Sequence, residues 1–406
     1  MAEFYPFRAL RPAPGKAEQV ACYPYDVLSD ADARALSSNP DSFVHVIRSE
    51  ADMPSDTNPY AKEVYDKAAA SFSSMKEKGT LIKEENPAFY LYREISHDHV
   101  QTGFVGCVLS SEYEAGRIRR HELTVAEKED DRTNHILALR AQTGPVFLTF
   151  RADDAIRSLA DDVARRTPVY DFTHDSVRHQ VWMIDDAKEC TRLQELFRHV
   201  PLLYIADGHH RAASSRRVSV QLNADDSQEA GRFMAVAFPS DDLLLLGYHR
   251  FVEDLCGMAP SEYLEQVAAA FDFTLLPDED PMPKQPHEII MTLGRKNYLL
   301  VPHEDIYDPH DSISRLDVSI LQNHLLSPIL GIEDPRRDHR ISFHGGAEAA
   351  SRIRALSAEN EEGVGFILYP TAIDDLLAVA DDERIMPPKS TWFEPKLLSG
   401  LFVHEI

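Results

Sequence analysis

The stretch Pro201-Leu202-Leu203-Tyr204-Ile205-Ala206-Asp207-Gly208-His209-His210-Arg211-Ala212-Ala213-Ser214-Ser215 decides how this chain is read. The run Leu202 to Ile205 has the length and apolar character of a buried strand, and the Ala/Ser-rich tail has that of a starting helix. At the junction stand Asp207, Gly208, His209, His210 and Arg211 in succession. A helix N-terminus exposes unpaired amide N–H groups and the positive end of the helix dipole, and Gly208 lets the backbone approach an anion closely. Arg211 offers a planar fork for phosphate oxygens, and the two imidazoles can donate hydrogen bonds or shuttle a proton. Asp207 can hold Mg²⁺ or act as a base. Helix capping alone would need only one of these residues. The junction therefore reads as a loop that handles phosphate.

Outward from it, strand and helix patterns alternate. PVFLTF (145–150) precedes Ile156, Leu159, Ala160 and Val163 at i, i+3, i+4, i+7. VWMI (181–184) precedes Leu193, Leu196, Phe197 and Val200 at the same spacing. Near the end of the sequence GFILYP (365–370) leads to Thr371, whose T-x-x-D pattern with Asp374 predicts a capped helix carrying Ile373, Leu376, Leu377 and Ala380. These units predict a mixed α/β sheet followed by a second α/β domain. Polar segments at 221–231, 277–287 and 305–312 read as loops, the second rich in Pro and acid. The expected domains are 1–255, carrying the junction, and 256–406.

A second cluster, GRIRRHELTVAEKEDDRTNHI (116–136), mixes Arg117, Arg119, Arg120, His121, Glu122, Lys128, Glu129, Asp131, Arg132 and His135. As a whole it reads as a solvated helix face. Glu122 and Arg132 stand out, because a hydroxyl acceptor needs a carboxylate to take its proton and a transferring phosphoryl group needs cations nearby. A third candidate is Met386-Pro387-Pro388-Lys389-Ser390-Thr391-Trp392-Phe393, a stiff turn that reads equally as a substrate wall and as a packed corner. Near the start, Arg8, Arg11 and Asp26 could serve a site or pair structurally.

The chain has 406 residues, 43% hydrophobic and 27% charged, with 19 Phe and 15 Tyr, a folded rather than disordered composition. Its net charge of −25 repels phosphate backbones and anionic lipid, so nucleic acid and membrane surfaces are poor partners. Cys22, Cys107, Cys190 and Cys256 form no C-x-x-C pair and are expected to be free buried thiols. No secretion signal or membrane-length apolar run is evident, which makes the cytoplasm the default expectation. P-loop, Rossmann, protein-kinase and HExxH fingerprints are missing. The oligomeric state is left open.

FRALRP (7–12), PYDVLS (24–29), EYEAGRIRRHELT (112–124), PVFLTF, YIADGHHRAA (204–213), RLDVSIL (315–321) and MPPKSTWFEPKLLSGL (386–401) together resemble the family known as domain of unknown function 1015. The Asp207–Arg211 segment is also similar to the signature of the ParB/sulfiredoxin superfamily, whose members bind nucleotide phosphates at a strand-to-helix loop. Sulfiredoxins carry a cysteine where His209 stands, so sulfinate repair does not fit. The branch of free L-serine kinases carries the doubled histidine and an upstream His-Glu segment, matched here by His121-Glu122. That resemblance implies a ParB/sulfiredoxin-like core and a phosphotransferase making O-phospho-L-serine with ATP or ADP as donor and Mg²⁺ as cofactor. Glu122, Asp207 and His209 would be catalytic, and Gly208, His210, Arg211 and Arg132 would bind the nucleotide. His121, Lys389, Ser390 and Thr391 would bind substrate, and Asp207 would hold the metal. The alternatives are a regulatory nucleotide-binding protein with slow hydrolysis, or a kinase for another small hydroxyl metabolite.

Overall fold

The computed structural model describes residues 3–96, 99–277 and 279–406. The chain divides into two compact units, Met1–Leu243 with Pro395–Ile406, and Leu244–Glu394. It therefore leaves the first unit at Leu243 rather than near 255, and it comes back to that unit at Pro395.

Nine strands of the first unit share one mixed sheet. They are β1 (Phe4–Tyr5), β2 (Phe89–Ser96), β3 (His99–Leu109), β4 (Ile118–Arg119), β5 (Val146–Phe150), β6 (Tyr170–His174), β7 (Val177–Ile184), β8 (Leu203–Asp207) and β9 (Arg232–Pro239), ordered β4-β8-β5-β9-β3-β2-β7-β6, with β1 also on β3. β8 runs parallel to β4 and antiparallel to β5, and β9 runs parallel to β5. Side chains alternate across a strand. Phe89, Leu91, Phe104, Leu148, Ile205 and Ala235 thus line one face and form a core with helices α1 (Asp154–Ala164) and α2 (Ala187–Arg198). The predicted helical stripe is buried at Ile156, Leu159, Ala160 and Val163 and again at Leu193, Phe197 and Val200. Each of the larger side chains among them contributes on the order of 2 kcal/mol. Asp153 and Asp186 cap these helices by accepting two amide hydrogen bonds each. The opposite parity of β2 carries Tyr90, Tyr92 and Glu94, all buried.

Pro395–Ile406 is woven into this unit. Ser399 bridges Cys22, Val403 bridges Leu10, and His404–Glu405 pairs with Ala141–Gln142. The charged segment at 116–136 holds a helix, Ala126–Leu139, packed against His209–Gln221. Its Glu127, Lys128 and Asp130 are solvated as expected, whereas His121, Asp131 and His135 are buried.

The second unit holds a six-stranded sheet in the order Phe271–Leu276, Lys296–Pro302, Ile289–Leu293, Val364–Leu368, His249–Val252, Ile341–His344, antiparallel throughout. Phe251, Ile290, Ile353 and Ile367 form its core with helix Ala349–Glu359. The predicted cap at Thr371 does not form. Helix Ile373–Asp381 begins after Ala372 with no side-chain cap, because the Thr371 hydroxyl donates to the Ser390 carbonyl instead (2.9 Å). Cys256 is exposed, contrary to the expectation for all four cysteines, while Cys22, Cys107 and Cys190 are free and buried. Among the described residues no helix is long and apolar enough to cross a membrane.

Candidate active site

β8 delivers Asp207 at its last position, and Gly208 turns the chain with φ +90° into helix His209–Gln221. That φ suits glycine, and a Cβ here would also lie 2.9 Å from Arg211 Nε. The guanidinium of Arg211 is therefore folded back over the turn. Its Nη1 donates to the Pro145 carbonyl, its Nη2 donates to Asp207 Oδ2 (3.4 Å), and its Nε is buried without a hydrogen-bond partner. Lys396 Nζ lies 3.7 Å from the same Asp207 oxygen. Burial opposes ionisation of Asp207, but Lys396 and Arg211 outweigh it and hold its carboxyl well below the usual carboxylate range. Asp207 is thus an anion set between two cations.

His209, the next residue, is 5% exposed and meets the His121 ring edge-on, with centroids 4.6 Å apart. Its Nδ1 lies 3.9 Å from Glu122 Oε2. Burial keeps both imidazoles neutral, pushing His121 down to about 4 and His209 well below its ordinary value. His209 Nε2 and His121 Nδ1 are buried with no hydrogen-bond partner. Orphaned polar atoms of this kind are costly in a finished structure, and a bound polar ligand satisfies them. His210 turns elsewhere: its Nε2 accepts the Val125 amide (3.0 Å), tethering the loop that carries Glu122 to the start of the helix.

Beside the junction is a recess lined by Tyr25, Arg132, Thr143, Gly144, Arg211 and Ser399. Arg132 lies over the Tyr25 ring, 3.9 Å from its centroid, and pairs with Asp131, which in turn accepts the Tyr65 hydroxyl. Two guanidinium groups thus open onto one recess, an arrangement suited to phosphate oxygens.

The structure brings Glu122, His121, Asp207, Gly208, His209 and Arg211 together, and Arg132 shares the recess with Arg211. Lys389, Ser390 and Thr391 belong to the second unit. There the Lys389 ammonium lies 5.6 Å from the Tyr248 ring centre, the Ser390 hydroxyl donates to Pro387, and the Lys389 carbonyl accepts from Arg250. Arg11 is tied to Glu84 and Tyr170, and Asp26 is exposed. The residue that sequence reasoning missed is Lys396. It stands in the quoted 386–401 motif, three residues beyond the 386–393 turn.

The donor set does not fit a resident Mg²⁺. Asp207 already faces two cations, and among the described residues no three His, Cys, Asp or Glu side chains gather as a cage. Mg²⁺ is commonly bound through one or two carboxylates together with substrate phosphates rather than in an all-protein cage.

Fold and site define a mixed α/β protein with a cationic, imidazole-lined strand-to-helix junction. The chain belongs to the family described as protein of unknown function DUF1015, whose model matches residues 4–319. No curated protein matches it. Among solved structures it is similar to a free serine kinase variant in complex with ADP, at 13% identity and TM-score 0.37, over 74% of this chain and 90% of that one. It is also similar to SbnI with a C-terminal truncation from Staphylococcus aureus, at 12% and 0.39, over 72% and 85%. A conserved hypothetical protein from Pyrococcus furiosus stands at 13% and 0.37, over 75% and 97%.

Proposed function

We propose that the protein is a phosphotransferase, a free L-serine kinase that moves a phosphoryl group from ATP or ADP to the serine hydroxyl and releases O-phospho-L-serine. The observation that carries this reading is the 3.9 Å approach of Glu122 Oε2 to His209 Nδ1, beside two orphaned buried imidazole nitrogens. In this reading Glu122, partly exposed, takes the proton from the acceptor hydroxyl as its oxygen attacks phosphorus. The bond from phosphorus to the leaving nucleotide oxygen breaks, and that oxygen keeps the electron pair. Arg211, Arg132 and the amides at Gly208 and the helix start neutralise phosphate charge, which is where most of the barrier reduction in phosphoryl transfer arises. His210, held by Val125, serves by fixing the Glu122 loop. His209 orients Glu122, His121 offers its orphaned nitrogen to the acceptor, and ionised Asp207 holds Arg211 and Lys396 in place.

The test is phosphorus NMR of the protein with L-serine, Mg²⁺ and either ATP or ADP. Phosphoserine should form with one donor. Glu122→Gln should lower turnover about 10²–10⁴-fold, the range for a lost general base, while leaving nucleotide affinity near the wild-type value. Nucleotide hydrolysis without phosphoserine, unchanged by Glu122→Gln, would replace this reading with a slowly hydrolysing nucleotide binder. A panel of other hydroxy amino acids and sugars tests the acceptor.

A further inference from the structure

We propose that the second unit carries an oxyanion site of its own, at which Lys389 binds the carboxylate or phosphate group of a small metabolite and the buried Arg250 is the positioning residue that presents it. The site lies wholly within Leu244–Glu394, and the inference stands apart from the phosphotransferase reading.

Strand parity sets the arrangement. In strand His249–Val252 the Phe251 side chain joins the core with helix Ala349–Glu359, so Arg250 points to the opposite face of the sheet. There it stands opposite Phe343 in register, with its guanidinium 5.5 Å from the centre of that ring. The Phe343 ring meets Tyr248 edge-on (6.3 Å between centroids), and Tyr248 meets Trp392 in the same way (5.3 Å). The exposed Lys389 ammonium lies 5.6 Å from the centre of the Tyr248 ring. At the Trp392 end of the row, Glu394 accepts the indole N–H (2.9 Å). Two cations thus stand on one row of aromatic rings.

Two unfavourable features converge on Lys389. The first is a buried charge without an anion. Arg250 is 3% exposed and donates to two carbonyls, those of Tyr248 and Lys389 (3.1 Å for the second), and among the described residues no carboxylate lies within ion-pairing distance of it. Buried arginines are ordinarily paired. The second is in the backbone, where Lys389 has φ +59°, a left-handed conformation that glycine adopts freely and lysine does not. Three hydrogen bonds enforce it: Arg250 holds the Lys389 carbonyl, the Ser390 hydroxyl donates to the Pro387 carbonyl (2.6 Å), and the Thr371 hydroxyl donates to the Ser390 carbonyl (2.9 Å). Glycine would make the same turn without strain. What lysine adds is an ammonium fixed in place over an aromatic ring. An oxyanion bound there is attracted by that ammonium and by the field of the guanidinium behind it, across rings that keep the local dielectric low. The strained turn then serves to set the ammonium before the ligand arrives.

The chain has two tryptophans, Trp392 in this row and Trp182 in the first unit, so the site has a reporter of its own. The test is tryptophan emission of the full chain, titrated with sodium phosphate and, in a separate series, with sodium acetate, at an ionic strength held constant with chloride. A saturable change is expected with at least one of them, the phosphate series reporting a phosphate ligand and the acetate series a carboxylate. The change should persist in Trp182→Phe, where Trp392 is the sole reporter; should that variant fail to fold, the wild-type signal carries the same comparisons. Lys389→Gly should raise the half-saturating concentration about tenfold or more, while its thermal midpoint without the anion stays at or above the wild-type value because the turn is relieved. Lys389→Arg should keep the affinity within about threefold, and Arg250→Lys, which keeps the charge but loses the hold on two carbonyls, should weaken it by more than that. No saturable change with either anion, an undiminished change in Lys389→Gly, or a Lys389→Gly midpoint well below wild type overturns the inference. A saturable response that depends on Lys389, in a protein that forms no phosphoserine, defeats the phosphotransferase proposal and leaves this site standing.

Discussion

At the scale of single residues, the site depends on positions that tolerate little change. Gly208 combines a left-handed backbone with the guanidinium of Arg211 lying where a side chain would be. Gly208→Ala should destabilise the fold by about 1–3 kcal/mol, seen as a lower thermal midpoint, and should displace Arg211. Arg211→Ala should weaken nucleotide binding by about 10–100-fold in calorimetric titration, the worth of a charge-assisted hydrogen bond to phosphate. Lys396→Met should have a smaller effect on affinity and should let the Asp207 carboxyl titrate closer to its ordinary range, because one of the two cations that hold it down is gone. Of these residues the Asp207–Arg211 group was legible in the sequence, because five adjacent residues at one strand end carry their own context. Lys396 was not, because its role comes from a tertiary approach that no local spacing encodes.

At the scale of elements, periodicity read the helices well where one stripe faces one sheet. The spacing of Ile156, Leu159, Ala160 and Val163 is the spacing that the core selects. The same logic failed at 116–136. There the buried positions His121, Asp131 and His135 are polar; the Val46 carbonyl satisfies His135 and the Tyr65 hydroxyl satisfies Asp131, whereas His121 Nδ1 has no hydrogen-bond partner. It failed again at Thr371, where a competing carbonyl took the hydroxyl that would have capped the helix. Where caps do form they should be measurable. Asp153→Ala and Asp186→Ala should each cost about 1 kcal/mol in urea unfolding, and the two losses should add if the helices respond independently.

At the scale of the whole molecule, buried titratable groups set the pH window of stability from both sides. His121, His135 and His249 are pushed down to about 4 and His179 to about 3, by burial in each case. Their folded values lie below the unfolded one, so the stability they preserve is present above about pH 6.5 and drains away as the pH falls toward 4. Glu94 works in the opposite sense. Its folded value lies above the unfolded one, so stability drains away as the pH rises from about 4.5 to 8. Urea midpoints should therefore peak at mildly acidic to neutral pH, and Glu94→Gln should raise the midpoint at pH 8 while leaving it nearly unchanged at pH 4.5. The double crossing of the chain carries a consequence for synthesis. Lys396, and the strand that closes onto Ala141–Gln142, emerge from the ribosome only after all of Leu244–Glu394. A polypeptide cut short anywhere in that span has every residue from Asp207 to Arg211 and still lacks the second cation on Asp207. The order of translation thus completes the junction only after the second unit has been made, and a product abandoned within that unit lacks the finished site.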